Sequence, residues 1–106
     1  MSEHLQALRG QLNEVDEAII DRLAQRMAIC REVAKVKLEH GIAMMQLDRV
    51  DLVKERSARR GAELGLDAEF VREVYERIIR EACRVEDEVM LQPQPHRTQL
   101  TRQRGR

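Results

Sequence analysis

Apolar residues recur at helical spacing along most of the chain. Leu5, Leu8, Leu12, Val15, Ile19, Leu23, Met27, Cys30, Val33 and Ala34 follow one another mostly at steps of three or four. At roughly 100° per residue they fall in a band about 120° wide on one helix. This stretch contains no proline and a single glycine, Gly10. The pattern therefore predicts a first helix from about Glu3 to Glu39, stopping near Gly41. His40 to Leu47 reads as a connector. Asp48 is a good N-cap for a second helix, which ends near Leu64 with Gly65 as its stop signal. Asp67 caps a third helix, with Leu66 and Val71 at the two positions of a hydrophobic staple. That helix runs to about Met90, and its stripe is Val71, Val74, Tyr75, Ile78, Ile79, Ala82, Val85 and Val89. The expected class is all-α, with three helices per chain and a long first helix.

The length of the first helix bears on assembly. About 35 residues span roughly 50 Å at 1.5 Å per residue. A compact 90-residue domain has a radius of gyration of about 12–13 Å and cannot cover such a rod. The stripe nevertheless continues along nearly its whole length, so the uncovered part is expected to pack on a second copy, as an intertwined homodimer.

Two cations lie inside that stripe. Arg26 and Lys37 are 11 positions apart, about three turns, so they face nearly the same way. Long basic side chains often lie along an apolar edge and snorkel to water. A buried cation, by contrast, is costly unless an anion meets it, and two aligned cations suggest an anion pocket. Arg9, 17 residues before Arg26, points roughly 100° away around the helix and lies about 25 Å along it. One chain can hardly aim both at one small ligand, whereas in an antiparallel dimer Arg9 would reach the partner's pocket. The other reading of Arg9 is an ordinary surface arginine.

Composition narrows the partners. Lys+Arg and Asp+Glu both number 19 in 106 residues, which argues against a nucleic-acid binder that works by bulk charge. Phe70 and Tyr75 are the whole aromatic complement, so there is no stacking platform for single strands. No apolar run approaches the ~20 residues of a membrane span. Met-Ser-Glu-His has no signal-peptide character, and a cytoplasmic protein is expected. Cys30 and Cys83 form no metal or redox motif and are expected as buried thiols. His4, His40 and His96 show no metal-ligand spacing, and no Gly-rich phosphate loop is present. Met44 and Met45 in the connector either line a pocket or plug a gap in the core, and each taken alone favours the plug.

The chain divides into a helical domain, 1–90, and a tail, 91–106. The tail holds Pro93, Pro95, four arginines and no acid, and reads as a basic, disordered, solvated segment. Without its four arginines the 19 basic residues fall to 15 against 19 acids, a formal charge of −4. An acidic body that binds a dianion must concentrate its cations locally.

The run Leu8-Arg9-x-x-Leu12-x-x-Val15-Asp16, then Leu23-x-x-Arg26, Val33-x-x-x-Lys37 and Leu47-Asp48-Arg49 resembles the all-helical chorismate mutase family. The resemblance covers about residues 5 to 90. It implies an intertwined dimer with two equivalent sites that converts chorismate to prephenate without a cofactor or metal. Arg26 and Arg49 of one chain and Arg9 of the other would bind the substrate's two carboxylates, a task that suits arginine's planar fork. Lys37 would contact the ether oxygen. The matching position for a second partner of that oxygen is Glu86. Read from the stripe, Glu86 falls on the inner side between Ala82 and Met90, where a carboxylate needs either a proton or a cation such as Lys37 beside it. Protonated, it would donate to the ether oxygen. The alternative for Glu86 is a salt bridge at the stripe's edge.

Departures from the family pattern concern the substrate. A Glu commonly follows the arginine at position 49 and contacts the C4 hydroxyl, but here the residue is Val50. A Ser near the ring carboxylate is replaced by Ala82, and the position before Leu47, often Asp, is Gln46. These changes point away from the usual C4-hydroxyl recognition. Isochorismate pyruvate lyases share the fold and can be apolar at the Val50 position. The segments His40-Gly41-Ile42-Ala43-Met44-Met45-Gln46 and Cys83-Arg84-Val85-Glu86-Asp87 resemble the subgroup acting on 4-amino-4-deoxychorismate in antibiotic pathways. Three functions are thus open: a [3,3] rearrangement of chorismate or its 4-amino analogue, a pyruvate lyase on isochorismate, and a non-catalytic helical dimer serving as an interaction or regulatory module. The retained inward cations argue against the last.

Overall fold

The computed structural model describes residues 2–92. Three helices carry nearly all of them: α1, Glu3–His40; α2, Leu47–Glu63; and α3, Ala68–Leu91. The Ser2 hydroxyl caps α1 by accepting from the Leu5 N–H at 3.3 Å. Gly41 ends it in the left-handed region, φ 65°, where a side chain would be strained. The Gly41 and Ile42 N–H groups both reach back to the Lys37 carbonyl. Asp67 caps α3 as expected, its carboxylate accepting from the Phe70 N–H at 2.9 Å.

Two boundaries differ from the sequence reading. The second helix begins at Leu47, so Asp48 lies inside its first turn rather than at the cap. Gln46 caps with its backbone alone, its carbonyl accepting from the Arg49 and Val50 N–H groups. The Asp48 carboxylate still favours that end, because it sits near the positive pole of the helix. The third helix continues through Leu91 because its last turn stays hydrogen-bonded, Gln92 N–H to Glu88 carbonyl. The tail expected from 91 thus starts one residue later, and its stretch from 93 to 106 lies outside the described residues.

The helices run up, down and up. Arg26 meets Tyr75 and Lys37 meets Glu86, a constant offset of 49, so α1 and α3 are parallel. Glu55 pairs with Arg72 and Lys54 with Glu76, so α2 is antiparallel to α3. Both α1 and α2 pack on α3 and not on each other. That leaves a cleft between α1 and α2 with α3 as its floor.

The core is thin. Ala34, Val53, Ala58, Val71, Ala82, Val85 and Val89 are its buried apolar side chains, all small. Gly61 permits the closest approach. A Cβ there would stand 2.6 Å from Val71 Cγ2, and β-branched Val71 has little freedom to yield. Gly61→Ala is therefore expected to destabilise the fold by about 1–3 kcal/mol, read as a drop in denaturation midpoint. An unchanged midpoint would show that the α2–α3 corner relaxes freely. Gly61 interrupts a helical pattern in the sequence, and such a glycine is the signal that could have marked this packing site.

The chain is extended and flat. Its radius of gyration is 19.5 Å and its extents are 74 × 29 × 14 Å; a compact 100-residue domain has a radius of about 13 Å. Fourteen ångströms is scarcely more than one helix diameter, about 10–12 Å. Leu5, Leu8, Leu12, Val15 and Ile19, half of the α1 stripe, are exposed on this layer.

Candidate active site

The cleft has a volume of 310 Å³ and draws its wall from every element. Arg26, Lys37 and Cys30 come from α1; Met44, Met45 and Gln46 from the connector; Arg49 and Val50 from α2; Ala82, Cys83 and Glu86 from α3. The sequence reading thus placed Arg26, Lys37, Gln46, Arg49, Val50, Ala82 and Glu86 in one site, and all seven line one wall. Arg9 does not. It lies on the exposed first turns of α1, outside the cleft of its own chain.

Lys37 is the best anchored of the cations. Its Nζ donates to the Met44 carbonyl at 2.6 Å and to Glu86 Oε1 at 3.2 Å. Both side chains are largely covered, Lys37 15% and Glu86 12% exposed. Glu86 is therefore inward, as the stripe implies, and the cation beside it is Lys37. An ammonium has three donors, and no further acceptor is recorded for Lys37 among the described residues. One N–H remains for a ligand. The connector is built on this lysine: its backbone carbonyl receives the turn at Gly41 and Ile42, and its ammonium takes up the Met44 carbonyl.

Arg26 is half-buried. Its Nη1 donates to Cys30 Sγ at 3.7 Å, and its Cζ lies 5.9 Å from the centre of the Tyr75 ring. Arg49 is exposed at the other rim. Three cations against the single Glu86 carboxylate give the cleft wall a net charge of +2, which complements a dianion. Val50, Val53, Ile79 and Ala82 supply apolar wall between the charges.

Two expectations are corrected. Met44 and Met45 do not plug the core. They line the cleft, with Met45 53% exposed, because α1 and α2 do not pack on each other and the space between them stays open instead of closing into core. The two cysteines are free and half-buried rather than buried, and both line the cleft. Burial pushes both thiols upward in pKa; Arg26 opposes this at Cys30, whereas Glu86 adds to it at Cys83. Tyr75 was read only as part of the α3 stripe. No spacing rule pairs it with Arg26, because the contact depends on the parallel packing of two helices.

The model of chorismate mutase type II matches residues 8–87, a span that holds every cleft residue named above. The chain belongs to the chorismate mutase type II family. It is accordingly a chorismate-mutase-type enzyme, an isomerase. It is 45% identical to the 4-amino-4-deoxychorismate mutase of Streptomyces venezuelae over 86 residues, covering 81% of this chain and 84% of that one. It is 39% identical to the 4-amino-4-deoxychorismate mutase of Streptomyces pristinaespiralis, covering 82% of this chain and 67% of that one. The T-protein of Enterobacter agglomerans is 30% identical, and the match spans 83% of this chain but 24% of that longer protein. Among solved structures, a conserved hypothetical protein from Pyrococcus furiosus superposes with a TM-score of 0.61 at 27% identity, covering 81% of this chain and 99% of that one. Among the described residues no helix is long and apolar enough to cross a membrane.

Proposed function

We propose that this enzyme rearranges 4-amino-4-deoxychorismate to the corresponding prephenate, as a homodimer with two sites shared between chains. One observation carries the reading: Arg26, Lys37 and Arg49 converge on a single cleft whose wall at position 50 is valine. The two Streptomyces relatives, both named for this substrate, support it.

The chemistry asks little of the protein beyond placement and charge. In a [3,3] rearrangement the ether C–O bond breaks as a C–C bond forms, with no nucleophile and no proton transfer required. The substrate must be held in its compact conformer, and the negative charge that grows on the ether oxygen must be met. Arg26 and Arg49, with Arg9 of the second chain, bind the two carboxylates through in-plane N–H pairs. The remaining Lys37 N–H donates to the ether oxygen. Glu86 holds Lys37 in place through their ion pair. Gln46, Val50 and Ala82 shape the pocket around the ring substituents.

The flat shape supports the dimer. A single layer of helices has no second layer on which to bury its apolar face, and the exposed Leu5-to-Ile19 stripe is that face. An antiparallel second copy covers it and brings Arg9 towards the cleft.

Incubation with chorismate, isochorismate and 4-amino-4-deoxychorismate in separate reactions, with product identification, tests the assignment. The 4-amino substrate is expected to have the higher kcat/KM, by about 10–200-fold if pocket shape alone discriminates, with little free pyruvate. Val50→Glu should shift preference towards chorismate by restoring a hydroxyl partner. Equal efficiency on both substrates, or pyruvate as the main product from isochorismate, would overturn the substrate assignment.

A further inference from the structure

We infer that Tyr75 is a positioning residue for the substrate-binding Arg26, holding the cation over its ring without the acidic partner that would take up the N–H donors a carboxylate needs; this rests on the reading of Arg26 given above. The Tyr75 ring is not part of the cleft wall. It lies behind it, at the α2–α3 corner beside Gly61, Leu66 and Val71. From there the Arg26 Cζ is 5.9 Å from the ring centre, inside the range over which an aromatic face attracts a cation. Cys30 Sγ takes one N–H from Nη1 at 3.7 Å. No carboxylate is recorded against Arg26 among the described residues.

A guanidinium carries five N–H donors, and a carboxylate ligand pairs with two of them. An aromatic ring attracts the charge through its π face and brings no negative charge of its own, so it leaves the cation available to an anionic ligand. An acidic neighbour would hold the arginine as firmly but would consume the N–H donors and neutralise the charge. Tyr75 is the one tyrosine of the chain, and it stands where α3 runs parallel to α1 at the level of Arg26. Ordering the guanidinium before substrate arrives reduces the entropy lost on binding. Because this contact is present equally in the ground state and the transition state, its loss acts on KM rather than on kcat.

Steady-state kinetics on Tyr75→Phe, Tyr75→Leu, Arg26→Ala and the Arg26→Ala/Tyr75→Leu double variant, with 4-amino-4-deoxychorismate and chorismate as probes, test this. Tyr75→Phe keeps the aromatic face and should stay within about twofold of wild type, whereas Tyr75→Leu should raise KM about 3–30-fold with kcat little changed. On the Arg26→Ala background Tyr75→Leu should add no further effect, since the two residues act as a unit. A Tyr75→Leu variant with wild-type KM, or one whose KM effect persists undiminished without Arg26, would overturn the inference while leaving the carboxylate site standing. Should Arg26→Ala itself leave KM unchanged, both the site reading and this inference fail. If Tyr75→Leu does not fold, Tyr75→Met supplies unbranched bulk without a ring face and carries the same expectation.

Discussion

Lys37→Ala is expected to lower kcat by about 10²–10³-fold with a much smaller change in KM, the signature of a lost transition-state donor. The structure gives the reason. Lys37 is held by the Met44 carbonyl and Glu86 on two of its three donors, so the third is oriented before substrate binds, and the site pays no reorganisation when charge develops. The substitution also strips Glu86 of its cation partner. Leaving a covered carboxylate unpaired destabilises a fold, so the denaturation midpoint is measured alongside kinetics. Lys37→Arg keeps the charge but replaces a compact ammonium by a broad planar group, and is expected to restore stability better than kcat. A Lys37→Ala enzyme that retains kcat would remove Lys37 from the chemistry and leave it as the anchor of the connector.

Complementation between defective subunits is the second large effect. Arg9→Ala and Arg26→Ala are each expected to lose most of their kcat/KM as homodimers, through a raised KM with residual turnover still measurable at high substrate, so that mixing is assayed at substrate well below the variants' KM. If Arg9 serves the partner's cleft, a heterodimer of the two variants has one intact site and one doubly broken site. Equal mixing with full subunit exchange makes about half the dimers mixed, so activity should recover to about a quarter of wild type. Mixtures that remain as inactive as either parent would refute the shared site. Sedimentation gives the companion measurement. A species of twice the chain mass at micromolar concentration, with no folded monomer on dilution, is expected because obligate dimers often lack one. A compact folded monomer would refute the assembly. The two results are separable, since a stable dimer without complementation would mean that Arg9 points elsewhere.

Much of this protein was legible in one dimension. Helical periodicity, Gly41 and Asp67 set three helices to within a residue or two, because caps and stripes are local. The alignment of Arg26 with Lys37 was legible for the same reason: both lie on one helix, and 11 residues return to nearly the same face. The resemblance extended this to Arg49, Gln46, Val50, Ala82 and Glu86, which sit on other elements. The start of α2 was misplaced by two residues because Asp48 has the better capping side chain, yet the Gln46 backbone caps instead. Tertiary packing alone decided the rest. That α1 and α2 touch α3 but not each other opens the cleft and turns Met44 and Met45 from filling into wall. That α3 runs parallel to α1 puts Glu86 against Lys37 and the Tyr75 ring against Arg26. Long-range pairs of this kind depend on the offset between helices, 49 residues here, and no local spacing encodes it.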